Sequence, residues 1–337
     1  MSARPGERVY LDAYLRPLAP WLDRPDVTDI LINAPGEVWV ETIGGPAERH
    51  AAPELTDTAL WRLAGQIASA AHQGISREHP LLAATLPSGA RVQIVAPPAT
   101  RGPMAIAIRK HVVNDLGLGD YEAAGAFDGA RRVDLSTPSE QDEALRLALD
   151  EGRFADLLRL AVKARKNIVV SGGTSTGKTT FLNALVKEID HQERLVLIED
   201  TPEIRLDHPN AIGLVAVRGS LGETAVTTED LLQASLRLRP DRIILGELRG
   251  AEAYSFLRAV NSGHPGSITT VHADNPRAAV EQIALMVLQA GSSLGRGEII
   301  DYVRAVVDVA VQLERRDGRR VVSEVHIRDD RRQTSGR

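Results

Sequence analysis

The sequence predicts an α/β protein in two parts, an N-terminal α+β domain followed by a C-terminal domain built on a mostly parallel sheet. Three observations carry that expectation. The chain has 337 residues, which suits about two domains. Short mixed elements fill its first third, whereas apolar strands and amphipathic helices alternate from about residue 165, the pattern of a sheet covered on both faces. Between these textures, residues 112–138 are rich in Gly, Ala and Asp without a clear period and read as a linker.

Composition narrows the class. With 43% hydrophobic and 25% charged residues the chain is that of an ordinary globular protein, which excludes a disordered tail, a collagen-like rod and a multi-span membrane protein. The absence of cysteine removes disulfides, thiolate zinc sites and cysteine nucleophiles together. A net charge of −5 argues against a surface that binds nucleic acid as a whole, though a local basic groove survives that argument. No stretch approaches the ~18 apolar residues of a spanning helix, and the N-terminus has no apolar signal core. The expected location is the cytoplasm, with membrane contact at most peripheral.

In chain order, residues 1–111 form the first domain. Leu11–Leu22 reads as a helix, Ile30–Ile32 and Val38–Glu41 as strands, and Leu60–Ala71 as an amphipathic helix. Val92–Val95 and Met104–Arg109 read as strands around a Pro97-Pro98 turn. The second domain, 139–328, opens with helical pattern over Ser139–Ala164, where Ser139 and Asp142 have capping-box spacing. Strands follow at Asn167–Ser171, Leu195–Ile198, Arg242–Leu245 and Ser267–Val271. Helices are expected after Lys178 and over Leu231–Leu238, Ala251–Asn261 and Arg277–Gln289. The end reads as a hairpin turning near Asp317-Gly318, and 329–337 as a frayed tail.

The sharpest signal is SGGTSTGKTT. It fits G-x-x-x-x-G-K-[ST] with Gly172, Gly177, Lys178 and Thr179, after a buried strand and before the amphipathic FLNALVKEI. Glycines let the backbone N–H groups of Gly173, Thr174, Ser175, Thr176 and Thr180 converge on phosphate oxygens, and the following helix adds its positive end. Lys178 supplies a point charge to the β- and γ-phosphates of ATP, and Thr179 offers a hydroxyl to Mg²⁺. Only five lysines stand beside 35 arginines, so a lysine in a motif is conspicuous.

Such a loop needs a second strand bearing a carboxylate near the metal and the attacking water. The run DRIILGE, ending in Glu247, supplies one, with Gly246 in the place where many such strands carry Asp. Glu199, Asp200 and Glu203 follow another strand, where ligands bind in open parallel sheets, and one of them could help orient metal or water. His272, at the end of GHPGSITTVH, is placed to sense the γ-phosphate. His264 and His272 without cysteines make a weak metal pair.

These blocks, in this order, resemble the secretion ATPases, most closely the VirB-eleven-type ATPases of type IV secretion and conjugation systems. The resemblance is carried by GGTSTGKTT (172–180), LIEDTPEIRL (197–206), LRLRPDRIILGELRG (236–250) and the stretch 256–291 around GHPGSITTVHA, and more loosely by ISREHPLLAATLPSGARVQIVAPP (75–98) and IAIRKH (106–111). It implies a RecA-like P-loop ATPase domain, a homohexameric ring, and nucleotide held between the two domains at a subunit border. It implies phosphate contacts for Arg91 and Arg109, and partners among inner-membrane secretion apparatus proteins. No sequence-specific nucleic-acid partner is expected. Arg249 remains open between a switch and a structural ion pair. Alternatives are a type II secretion or type IV pilus motor, a DNA-stimulated RecA-like translocase, and a non-hydrolysing scaffold. The missing tetracysteine insert counts against the first, and the acidic residues interleaved in the basic C-terminal stretch count against the second.

Overall fold

The computed structural model describes residues 5–111, 117–130, 139–217 and 224–328. The tail expected at 329–337 and the linker segments 112–116 and 131–138 lie outside the described residues.

The chain opens with α1 (Pro5–Leu15), a 3-10 turn (Arg16–Leu18) and α2 (Ala19–Leu22) in place of the single helix expected over Leu11–Leu22. Pro17 and Pro20 each lack an N–H, so an uninterrupted ladder cannot form there. Six strands follow around one helix: β1 (Val27–Ile32), β2 (Gly36–Thr42), β3 (Glu48–Ala52), α3 (Asp57–Ala70), β4 (Leu81–Thr85), β5 (Arg91–Val95) and β6 (Ala105–Arg109). They form an antiparallel sheet in the order β3-β2-β1-β6-β5-β4. Thr56 caps α3 by accepting the Ala59 N–H at 3.2 Å, and Leu60, Leu63 and Ile67 share a core with Ile30, Ile94 and Ile106. The described part of the linker holds a short helix, α4 (Leu118–Ala123), which the sequence reading leaves out.

Next come α5 (Glu140–Asp150) and α6 (Phe154–Lys163). Ser139 and Asp142 form the expected capping box, but Gly152, at φ +70, breaks the helical run expected to continue to Ala164. The alternating region then builds β7 (Ile168–Gly172), α7 (Lys178–Val186), β8 (Leu195–Glu199), β9 (Ala211–Val215), α8 (Thr228–Ser235), β10 (Arg242–Leu248), α9 (Glu252–Asn261), β11 (Ile268–Val271), α10 (Pro276–Gln289), α11 (Arg296–Val306), β12 (Val309–Arg316) and β13 (Arg319–Ile327). The sheet order is β13-β12-β7-β11-β10-β8-β9, parallel except for the edge strand β13. Apolar side chains of α5, α6 and α7 pack on one face with Ile168, Val170 and Leu197. Those of α8 to α11 pack on the other with Val169, Val196 and Leu245. Burial on both faces explains why these strands read as continuous apolar runs. No helix among the described residues is long and apolar enough to cross a membrane.

The first sheet meets the second at its β9 edge. Thr100 and Leu214 form an antiparallel bridge, with the Arg101 N–H on the Gly213 carbonyl and the Val215 N–H on that of Ala99, both at 2.9 Å. Asn33 donates to Asn210 at 2.9 Å, and Arg239 pairs with Glu41 across the same seam. Arg194 lies fully buried there, bonded to the side chains of Asn33 and Asn210 and to the Leu238 carbonyl. Burial without a directly bonded carboxylate pulls its pKa down to about 9.

Candidate active site

β7 delivers the glycine-rich loop to the carboxyl end of the parallel sheet, where ligands bind in open α/β folds. Ser175 (φ +61) and Gly177 (φ +91) turn the chain so that α7 starts at Lys178. Gly172 is needed for closeness instead. A Cβ there would stand 2.6 Å from Thr176 Oγ1 and 2.8 Å from the Leu313 carbonyl oxygen. The loop borders a cavity of about 440 Å³, within the ~300–1,000 Å³ of small-molecule sites, and Thr179 and Thr180 line it at the helix N-terminus.

Charged groups converge on this cavity. Lys178 Nζ donates to the carbonyls of Gly172 and Gly173 at 2.9 and 3.1 Å and stands 3.9 Å from Glu247 Oε1. Burial lowers the Lys178 pKa, and Glu247 works in the opposite direction. His272, from the end of β11, brings Nε2 to 2.9 Å of the same Glu247 oxygen. The other Glu247 oxygen is held by Arg249, whose guanidinium also reaches Asp200 at 2.8 Å; the bond to Glu247 raises the Arg249 pKa. Lys178, Glu247, His272, Arg249 and Asp200 thus form one connected set drawn from the start of α7 and the carboxyl ends of three strands, β8, β10 and β11.

The acidic group after β8 divides. Glu199 is buried, and one of its oxygens accepts the Glu203 and Ile204 N–H groups at 2.9 and 2.8 Å, while the other pairs with Arg101 of the first sheet. Glu203 lines the cavity beside Asp200. The unusual Gly246 also has its reason here. A Cβ at Gly246 would lie 3.0 Å from Glu199 Cγ, so a side chain before Glu247 would crowd a carboxylate that is already committed.

Two predicted residues stand apart. Arg91 and Arg109 are direct partners across β5 and β6 and border a separate hollow with Leu236 and Arg237. Arg109 is paired with Asp29 at 2.9 Å. Neither lines the P-loop cavity of its own chain, because the first sheet docks on the β9 edge while the loop sits at mid-sheet. His264 belongs to no group of three or more acidic or histidine side chains placed to hold a metal among the described residues, and its Nδ1–H donates to the Pro240 carbonyl at 2.9 Å. Sequence reasoning missed Arg101, which carries no motif. Nothing in the basic C-terminal stretch singles out Arg320, which lines the cavity.

A model of the type II/IV secretion system protein family matches residues 14–316. The chain belongs to that family. It is 42% identical over 308 residues to the type IV secretion system protein VirB11 of Brucella suis biovar 1, covering 89% of this chain and 84% of that protein. It is 40% identical over 337 residues to the type IV secretion system protein PtlH homolog of Bordetella bronchiseptica, covering 97% and 98%. The crystal structure of the VirB11 ATPase from the Brucella suis type IV secretion system, in complex with sulphate, superposes with a TM-score of 0.89 at 39% identity, covering 96% of this chain and 99% of that one. Family and fold are those of a secretion ATPase.

Proposed function

We propose that this chain is the ATP-hydrolysing motor of a type IV, conjugation-type secretion system, coupling turnover to movement of its N-terminal domain against its ATPase domain. The observation that carries the reading is the convergence of Lys178, Glu247 and His272 on the mouth of a complete P-loop.

In this reading the loop N–H groups and the α7 N-terminus bind the phosphates, and Lys178 swings its ammonium from the loop carbonyls to the β- and γ-oxygens. Glu247 polarises the attacking water, oriented by His272 and Arg249. Among the described residues no three acidic or histidine side chains cluster as metal ligands, so Mg²⁺ would be held by the Thr179 hydroxyl together with phosphate oxygens and water. It would neutralise charge developing on those oxygens. Loss of the γ-phosphate contacts to Lys178 and His272 then releases the N-terminal domain. Arg91 and Arg109 reach the nucleotide of an adjoining copy in a homohexameric ring. The ring sits on the cytoplasmic face of the bacterial inner membrane, held by apparatus proteins.

The test is steady-state ATP hydrolysis with Mg²⁺ by wild type and Lys178→Ala, with and without single-stranded DNA, while mass in solution is followed. A nucleotide-dependent ring whose activity ignores DNA and vanishes in the variant is expected. Activity rising many-fold with DNA would shift the reading to a nucleic-acid translocase.

A further inference from the structure

The hairpin of β12 and β13 takes no part in the chemistry above, yet it walls one side of the P-loop. β12 runs parallel to β7 with Leu313 opposite Gly172. The chain reverses at Asp317 and Gly318, both at positive φ, and β13 carries Arg320 back over the loop. A Cβ on Gly177 would stand 2.8 Å from Arg320 Cδ, 3.3 Å from Nε and 3.6 Å from Nη1. The side chain therefore lies across the last P-loop glycine, and it borders the same cavity as Lys178 and Glu247.

Position in the sheet says which part of a nucleotide this guanidinium meets. β11, β10 and β8 lie on one side of β7 and bring His272, Glu247 and Asp200, the groups that the P-loop reading sets against a γ-phosphate. β12 and β13 lie on the other side. A nucleotide whose terminal phosphate points toward Glu247 extends its α-phosphate and ribose toward the hairpin. Arginine suits that place, because its planar fork donates two charge-assisted hydrogen bonds to phosphate oxygens. Arg316, nearby on β12, is committed to Glu314 at 3.0 Å. No hydrogen bond or ion pair among the described residues engages Arg320.

We propose that Arg320 is a nucleotide-binding residue that holds the α-phosphate end of the bound nucleotide and takes no part in cleaving the γ-phosphate. The proposal rests on the P-loop reading, and its signature is separable from it. An interaction made equally in ground and transition states changes KM and leaves kcat.

The experiment measures ADP and ATP affinity and steady-state turnover for full-length wild type, Arg320→Ala, Arg320→Lys, Arg319→Ala and Lys178→Ala. Arg319 precedes Arg320 on β13 and points to the opposite face of the strand, so it controls for loss of a hairpin charge. Arg320→Ala should weaken ADP and ATP by the same factor, about tenfold, and raise KM while kcat stays within about twofold. Arg320→Lys should fall between, and Arg319→Ala should match wild type. ADP affinity unchanged in Arg320→Ala, or a fall in kcat at unchanged affinity, would overturn the assignment while leaving the P-loop reading intact. Wild type binding nucleotide no better than Lys178→Ala would remove both.

Discussion

Glu199 and Glu247 end neighbouring strands of one sheet, yet they belong to two differently organised regions. Around Glu247 the charges are collected but left facing a cavity, with Lys178, His272 and Arg249 sharing one carboxylate. Around Glu199 the charges are consumed. One of its oxygens accepts two backbone N–H groups and the other forms an ion pair with Arg101, in the seam where Arg194 is also buried. Charge at a strand's carboxyl end is therefore not by itself a sign of chemistry. What separates the two is what holds the group: Glu199 is buried against backbone N–H groups and an arginine of the other sheet, whereas Glu247 is held by side chains that line the cavity with it. We propose that Glu199, expected from sequence among the catalytic carboxylates, acts by positioning its own loop. A carboxylate that clamps the loop 199–204 and anchors the first sheet is held in the cavity wall, which it lines together with Asp200 and Glu203.

The contrast is broken most forcefully at the cavity. Lys178→Ala or Glu247→Gln should reduce ATP turnover by ~10²–10⁴-fold with a melting temperature close to wild type. Equal loss of turnover and of stability would mean that these residues, too, are structural. At the seam the effect reverses. Arg101→Ala leaves Glu199 buried without its counter-charge and should cost ~3–5 kcal/mol of unfolding free energy in urea titrations.

Arg249 lies between the two regimes, tying Glu247 to Asp200 from a half-exposed position. Arg249→Ala should lower kcat about tenfold by loosening Glu247, with stability little changed. Arg239 bridges the seam to Glu41 but is only partly buried, so Arg239→Ala should cost ~1 kcal/mol or less.

The smallest effect concerns pH. Burial lowers the Lys178 pKa in the free protein, and a bound phosphate must raise it. Between those two values binding takes up a proton, so nucleotide affinity should fall as pH rises through that interval. Lys178→Arg should flatten that dependence in a binding titration, since arginine stays protonated there.

Much of the second sheet could be read from the chain because its strands are buried on both faces and bounded by helices. β9 is harder to read, being a short run with a central glycine, and so is α11, whose apolar residues follow a glycine- and serine-rich stretch without an N-cap side chain. In the first sheet, β3 is the polar edge sequence ERHAA and β4 is the small-residue run LLAAT, so neither shows the alternation that marks a half-buried strand. Lys178, Glu247 and His272 were legible because each sits in a narrow local pattern. The fate of Glu199 was not, because its partner Arg101 comes from a proline- and glycine-flanked turn of the other sheet. Arg320 was hidden for a related reason. Among many arginines, only the hairpin register separates the one lying over Gly177 from its neighbours.

The most direct test sets Glu247→Gln against Glu199→Gln in one preparation series, measuring steady-state ATP hydrolysis and thermal unfolding side by side. The account predicts a silent Glu247→Gln that melts like wild type, and a Glu199→Gln that melts early but hydrolyses ATP normally while folded. Wild-type turnover by Glu247→Gln, or a fully stable and inactive Glu199→Gln, would contradict it.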